Sequence, residues 1–383
     1  TNLGDPLSSF SFAMFYNRIG WVVLATLAVL YLHPAPGVAP KFWGDAICAA
    51  VLVLVALYTK ITYAPVAFAM LVLIFLDGRQ RRWATCAVAL VGCGMLLAEL
   101  VWRGSWEHVQ DLLATARVSG ERDIRALLQP ALNNLPDLLV AAVLMALALI
   151  RTRSLLDLCF YALCAGGGIL ILSQNAHSWG IITLFAGAAV AAEKILRWAD
   201  ERRVRGPAGT SGPLLFLFMA VPPLGKHAVA LLTYSVLAAG NFGTPLDLPR
   251  FADVRFGRLW SPGDYGFTEL YIGGFREGAA LLAALDPPAE RVLVLDFANP
   301  FSAGMNLRPP RGDFSWMHWG RNIDAEHYPA PETLFADAAV VMVPVVGINS
   351  AQLNALYGPY LSTHFELAED TAGWKMFLAR SQP

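Results

Sequence analysis

Residues 46–76 read AICAAVLVLVALYTKITYAPVAFAMLVLIFL, and Lys60 is the one formal charge in the whole stretch. Two apolar runs, 46–59 and 61–76, flank the polar knot Tyr58-Thr59-Lys60-Ile61-Thr62-Tyr63. Crossing the hydrocarbon of a bilayer takes about 17–25 mainly apolar residues. Each run is therefore short for a span, and the pair reads either as a tight hairpin or as one broken element whose irregular backbone lines a polar cavity. In both readings lipid is the solvent of this segment.

The flanking sequence extends that pattern. Further apolar runs occupy 19–32, 84–102, 136–150, 155–173, 178–196 and 213–239, which predicts a polytopic all-α bundle of about eight transmembrane helices over residues 1–241. The last run holds Pro222-Pro223 and Gly225, where a kink is expected. Hydrophobic residues make up 56% of the chain and charged ones 15%, against about 25% charged in soluble domains. The shortage is uneven: 213–241 carries only Lys226 as a fixed charge, whereas 242–383 mixes charges freely, as a water-soluble domain does. A net charge of −1 supplies no field for a nucleic acid or other polyanion. The five cysteines all lie in apolar runs with no CxxC spacing, so they read as buried thiols and not as a disulfide or metal framework.

Basic residues set the expected orientation. With the N-terminus outside, the inward loops hold Lys41, Arg79, Arg81, Arg82, Arg151, Arg153, Arg197, Arg202, Arg203 and Arg205. The outward connections hold Arg18, Lys60, Arg103, Arg117, Arg122 and Arg125, and the bias favours N-out. The 242–383 domain is then extracytoplasmic, which means periplasmic in a bacterial inner membrane. No signal peptide precedes the first apolar run, and a segment upstream of Thr1 is expected to have been removed or to belong to another polypeptide.

The outward loop 103–135 has helical periodicity of its own. Val109, Leu112, Leu113 and Ala116, then Ile124, Leu127, Leu128 and Ala131, each form a stripe at i, i+3, i+4 and i+7. With Trp102 and Trp106 in aromatic-belt positions, these read as two helices lying in the outer interface. The tail alternates element types: a helix over 266–285, strands over 291–297 and 338–345, a helix over 349–361 and a final strand over 374–380. That order predicts a small, at least partly parallel α/β sandwich with Val292, Val294, Val340 and Met342 in central strands.

Several residues could carry chemistry. Lys60 sits at the outer face, where its ammonium suits a lipid-linked phosphate; a snorkelling lysine that ends a helix is the alternative. Gln174, Asn175 and His177 form a polar cluster at the next outward turn, fit either to read sugar hydroxyls and move a proton or simply to solvate a turn. Glu99 and Arg103 have the spacing of a helical ion pair. Glu107, His108 and Asp111 offer ligands for a divalent cation, or a solvated helix face. In the tail, Asp296 and Asn299 end a strand where open α/β sheets bind ligands, and His318 and His327 flank Arg321 and Asp324 at an offset that matches no zinc motif. There is no Walker motif, no GxGxxG opening a helix, no GxSxG and no HExxH, which disfavours an ATP-driven pump or a conventional soluble hydrolase.

Three stretches together resemble the C-terminal part of bacterial GT-C type glycosyltransferases, polytopic enzymes that use polyprenyl-phosphate sugars. They are Phe15-Tyr16-Asn17-Arg18-Ile19-Gly20-Trp21, the Lys60 junction Leu57–Tyr63, and the tail segments 295–301, 309–312 and 374–380. The resemblance implies transfer of a hexose from a polyprenyl-phosphate carrier to a glycan, lipid or protein acceptor at the outer membrane face. Lys60, with Arg18, would hold the lipid phosphate, and Gln174, Asn175 and His177 would line the sugar pocket. No cofactor is implied beyond an optional divalent cation. The family's essential acid lies in its first outward loop, whereas here the first loop, 33–45, is predicted inward and holds only Asp45. The resemblance therefore assigns no catalytic base to any residue of this chain. A fragment or subunit of such an enzyme is one reading, and a non-catalytic structural subunit held among partner membrane subunits is the other.

Overall fold

The structure, a computed structural model, describes residues 15–34, 38, 41–118, 124–174, 180–204, 206–256, 262–314 and 316–380. Helices dominate the first part: α1 (Phe15–Leu30), α2 (Phe42–Thr59), α3 (Ala64–Leu76), α4 (Arg81–Trp102), α5 (Ser105–Val118), α6 (Ile124–Asn133), α7 (Leu135–Thr152), α8 (Leu155–Ser173), α9 (Ile182–Glu201) and α10 (Pro207–Ala239). Five segments among the described residues are long and apolar enough to cross a membrane: α2, α4, α7, α8 and Gly209–Ala239 within α10. Their outer surfaces are apolar; Leu96, Leu97, Leu100 and Val101 of α4 are all exposed, which water would penalise and lipid does not. These features mark an integral membrane protein.

The remaining apolar segments fall short for identifiable reasons. Tyr16–Leu30 and Ile61–Leu76 are apolar but brief. Helix α9 is apolar only in its first half; Glu193, Lys194, Arg197, Asp200 and Glu201 crowd the second.

The chain divides into two compact units, Thr1–Ser105 with Arg122–Thr233, and Trp106–Glu121 with Tyr234–Pro383. In the first, α9 packs against α1, α7 and α8, while α2 packs against α1, α3 and α4. Small residues make this closeness attainable. A Cβ on Gly187 would lie 2.8 Å from Met145 of α7 and 3.0 Å from Cys164 of α8. Thr183 then reaches α8 and donates to the Cys164 carbonyl at 2.6 Å. Close backbone approach over small side chains is what holds helices together where lipid removes the hydrophobic drive.

The second unit contains the tail. A two-residue hairpin, β1 (Thr244–Pro245) with β2 (Arg255–Phe256), precedes α11 (Pro262–Ala283). Then follow β3 (Val292–Val294), α12 (Pro300–Gly304), α13 (Pro331–Leu334), β4 (Val340–Pro344), α14 (Ser350–His364), β5 (Phe365–Asp370) and β6 (Trp374–Ala379). The sheet order is β3-β4-β6-β5, with β3 and β4 parallel (Val292 opposite Val340) and the other pairs antiparallel. Alternate residues of β3 feed two cores: Val292 and Val294 pack with Leu282, Phe301 and Trp374, while Leu293 and Leu295 pack with Leu353, Tyr357 and Phe335. Burial on both faces explains why β3 and β4 read as unbroken apolar runs.

Three expectations change here. The strand expected over 291–297 is three residues long, because Leu295 to Phe297 bend away to form a loop. Strand β3 is an edge of the sheet, not central; its outer side meets an isolated bridge between Arg291 and Arg308 and the Asn299 amide, which donates to the Val292 carbonyl at 2.6 Å. Strand β5, unanticipated, makes the opposite edge, with a register shift between Leu367 and Glu369.

Candidate functional site

The break between α2 and α3 has a definite geometry. Helix α2 ends with Lys60 in an extended conformation (φ −159°, ψ 109°), and Ile61–Tyr63 make a single 3-10 turn before α3 starts. Pro65, in the first turn of α3, has no N–H to strand there and helps fix the restart. The extended residue turns the lysine toward α1: its Nζ donates to Asn17 Oδ1 at 2.7 Å and sits 4.8 Å from the Tyr16 ring centroid. Beneath it, fully buried Tyr63 stacks edge-on against Trp21 at 5.5 Å. A Cβ on Gly20 would come within 2.6 Å of the Tyr63 ring, so a glycine is required for α1 to lie this close to the junction.

Asn17 is the residue that sequence reasoning missed. It is 1% exposed, and because Oδ1 faces the lysine, Nδ2 is left as a buried donor with no partner among the described residues. The Thr62 hydroxyl at the same junction is likewise buried and unpaired. A buried donor without a partner costs about 1–3 kcal/mol, and two such groups lie at this junction next to the ammonium. The sequence signal of Asn17 is an amide next to Arg18 at the start of a helix that is mostly apolar beyond it.

The other expected site residues are distributed as follows. Arg18, half-buried, follows Asn17 on α1. Gln174 caps the C-terminus of α8, its N–H bonded to the Ile171 carbonyl. Gly167 of α8 packs on Val66 of α3, so the Gln174 end of α8 lies at the same end of the bundle as Lys60. Asn175 and His177 lie outside the described residues. At that end, buried Asn134 between α6 and α7 accepts from the Gly180 N–H at 2.8 Å and holds the chain where it leads into α9. Glu99 does not pair with Arg103: Arg103 leaves the helix in the left-handed region (φ 56°), and Glu99 accepts from the Ser105 N–H instead. Among the described residues, no three His, Cys, Asp or Glu side chains gather to hold a metal ion, so Glu107, His108 and Asp111 do not form the cation site that their spacing allowed.

At the opposite end of α1 lies a second polar cluster, also unforeseen. Asp157, in the first turn of α8, accepts from the Tyr31 hydroxyl at 2.6 Å and from the Lys194 ammonium of α9. Lys194 also lies over the Tyr31 ring. Gln80 donates to the Tyr31 carbonyl, Arg197 to the His33 carbonyl, and His33 pairs with Asp77. Burial pushes the Asp77 carboxyl up, but the Arg79 N–H and His33 outweigh it and hold it below the usual carboxylate range. In this cluster Asp157, Lys194 and Arg197 each have their counter-group, so it serves as a brace rather than a site.

No family model, curated protein or solved structure matches the chain. The functional reading therefore rests on the geometry and on the resemblance of the motifs.

Proposed function

We propose that the chain is a GT-C-like glycosyltransferase, as fragment or subunit, that transfers a sugar from a polyprenyl-phosphate carrier at the outer membrane face. The observation that carries this reading is the Lys60–Asn17 pair: an ammonium drawn inward at a helix break, beside a buried amide donor with no partner. The ammonium neutralises a phosphodiester oxygen and Asn17 Nδ2 donates to a second, while Arg18 adds positive charge. Gln174 is assigned to the sugar side, and the resemblance assigns Asn175 and His177, which lie outside the described residues, to the same role. A midplane lysine costs about 2.5–3.5 kcal/mol on insertion scales, less near the interface, and a bound phosphate offsets that cost. The base that activates the acceptor is not assigned to a residue of this chain.

Lys60→Met keeps the apolar stem and removes the charge. In the purified full chain it should weaken binding of a short polyprenyl-phosphate-linked hexose by about a hundredfold, since a hydrogen bond to a charged group is worth about 1.5–3 kcal/mol. Thermal unfolding in detergent should fall modestly, by the loss of the Lys60–Asn17 hydrogen bond, with the fold kept, and Lys60→Arg should retain part of the affinity. Unchanged binding in Lys60→Met would rule out the phosphate role.

The same reading includes about eight spans, an outside N-terminus and a periplasmic tail in a bacterial inner membrane. Ala325 is exposed in the tail. A cysteine placed there, with the five native cysteines replaced, should react with a membrane-impermeant thiol reagent in cells whose inner membrane is intact. Reaction only after lysis would reverse the topology.

A further inference from the structure

Three segments of the tail meet at the C-terminal ends of the parallel strands β3 and β4: Asp296-Phe297, Trp316–Trp319 and the loop 345–349. This crevice is where open α/β sheets place ligands. Two asparagines hold it. Asn349, 1% exposed, donates from its N–H to Asp296 and from its amide to the Met317 carbonyl, and accepts from the Trp319 N–H. Asn322 accepts from the His318 N–H and donates to the Trp316 carbonyl, both at 2.7 Å. These hydrogen bonds fix a loop that presents Phe297, Trp316 and His318 as one ring cluster, with centroids 5.3–5.6 Å apart. Trp316 remains 36% exposed despite this anchoring, and Val346 and Ile348 stand exposed on the adjoining loop. Rings held by one buried and one half-buried asparagine, yet left open to solvent, are the arrangement of a recognition surface.

We propose that this corner binds a neutral oligosaccharide, with the Trp316, Phe297 and His318 rings as the stacking surface and the Asp296 carboxyl as an acceptor for sugar hydroxyls. Asp296 takes backbone N–H groups from Asn349, Phe297 and Ile348. A carboxylate has about four acceptor positions, so capacity remains. A Cβ on Gly347 would lie 2.8 Å from its Oδ2, which shows how tightly the loop closes over it. Burial and the nearby Arg321 push the His318 imidazole below its usual range. It is then neutral in neutral solution, one donor and one acceptor, as hydroxyl partners require.

Other ligand classes fit less well. Phe297 and Trp316 meet tilted at 58° and His318 stands edge-on to both at 65° and 79°, with centroids only 5.3–5.6 Å apart, so the rings touch and leave no room between them for an ammonium. Arg321 acts on His318 as a nearby cation, and one arginine does not make the phosphate-neutralising surface that nucleic acids need. The inference does not depend on the transferase reading, because the surface is distinct from the Lys60 junction and would bind a glycan whether or not the chain transfers one.

The test uses the purified full chain in nanodiscs with three probes: a β-1,4-glucan, an α-1,4-glucan and an α-1,6-mannan oligomer. At millimolar sugar, saturation-transfer NMR should show transfer to at least one probe. Trp316→Ala should weaken that binding by about tenfold, and Trp316→Phe should keep most of it. Lys60→Met should leave it unchanged. Trp316 is exposed, so its replacement leaves the tail folded, as unchanged thermal unfolding would verify. Transfer to none of the probes, or equal binding by wild type and Trp316→Ala, overturns the proposal.

Discussion

Asp157→Ala is expected to destabilise the helix bundle by roughly 3–5 kcal/mol, the loss typical of a buried ion pair deprived of one partner. Asp157 and Lys194 are 4% and 21% exposed at their side chains, and the same carboxylate receives the Tyr31 hydroxyl. The substitution therefore strands an ammonium and a phenol together, and frees α8 and α9 from the end of α1. Asp157 also lies one turn past the Ser154 cap, whose hydroxyl accepts its N–H, so some favourable interaction with the helix N-terminus is lost as well. Thermal unfolding of the purified protein in detergent measures the effect. Asp157→Ala/Lys194→Met should recover most of it, because the uncompensated charge is gone. A double variant as unstable as the single one would mean that the cost comes from the lost Tyr31 hydrogen bond and helix cap, not from charge.

Val294→Asp should unfold the tail. Val294 is 2% exposed, opposite Met342 in the sheet and packed with Phe301 and Trp374. A carboxyl there finds no hydrogen-bond partner, and burying it unpaired costs several kcal/mol against a typical domain stability of about 5–15 kcal/mol. Limited proteolysis of the full chain should cut the tail of Val294→Asp while sparing wild type and Val294→Leu. The Trp374 environment should become solvated in the fluorescence spectrum. A protease-resistant Val294→Asp tail would contradict the position of β3 between two cores.

What could be read from the sequence follows from how local each signal is. Every apolar run holds a helix, because a long uncharged stretch declares itself without any partner. Lys60 was conspicuous for the same reason, as the sole charge in its stretch. Asn17 was not, since its meaning depends on a residue 43 positions away. Asp157 and Lys194 were averaged into the apolar runs 155–173 and 178–196, and only folding joins them to each other and to Tyr31, 126 positions from Asp157. Strand β5 escaped because FELAED buries Phe365 alone and has no alternation to detect. Asn349 falls at the start of the helix expected over 349–361 and Asn322 has no reading of its own, because their function as anchors exists only through backbone groups of other segments.

The edge strand β5 has a consequence for the protein at high density in a bilayer. An open sheet edge is a template for aggregation, and at the start of β5 it is already occupied: the Phe365 N–H donates to the Leu361 carbonyl and the Phe365 carbonyl accepts from Arg380 Nε. Glu366, Glu369 and Asp370 line this strand, and five of its six residues are exposed. A second copy approaching edge to edge would set carboxylates against carboxylates, and the register shift at Leu367/Glu369 breaks the flat ladder that polymerisation needs. The sheet thus ends in a strand that accepts β6 and disfavours pairing with a second β5.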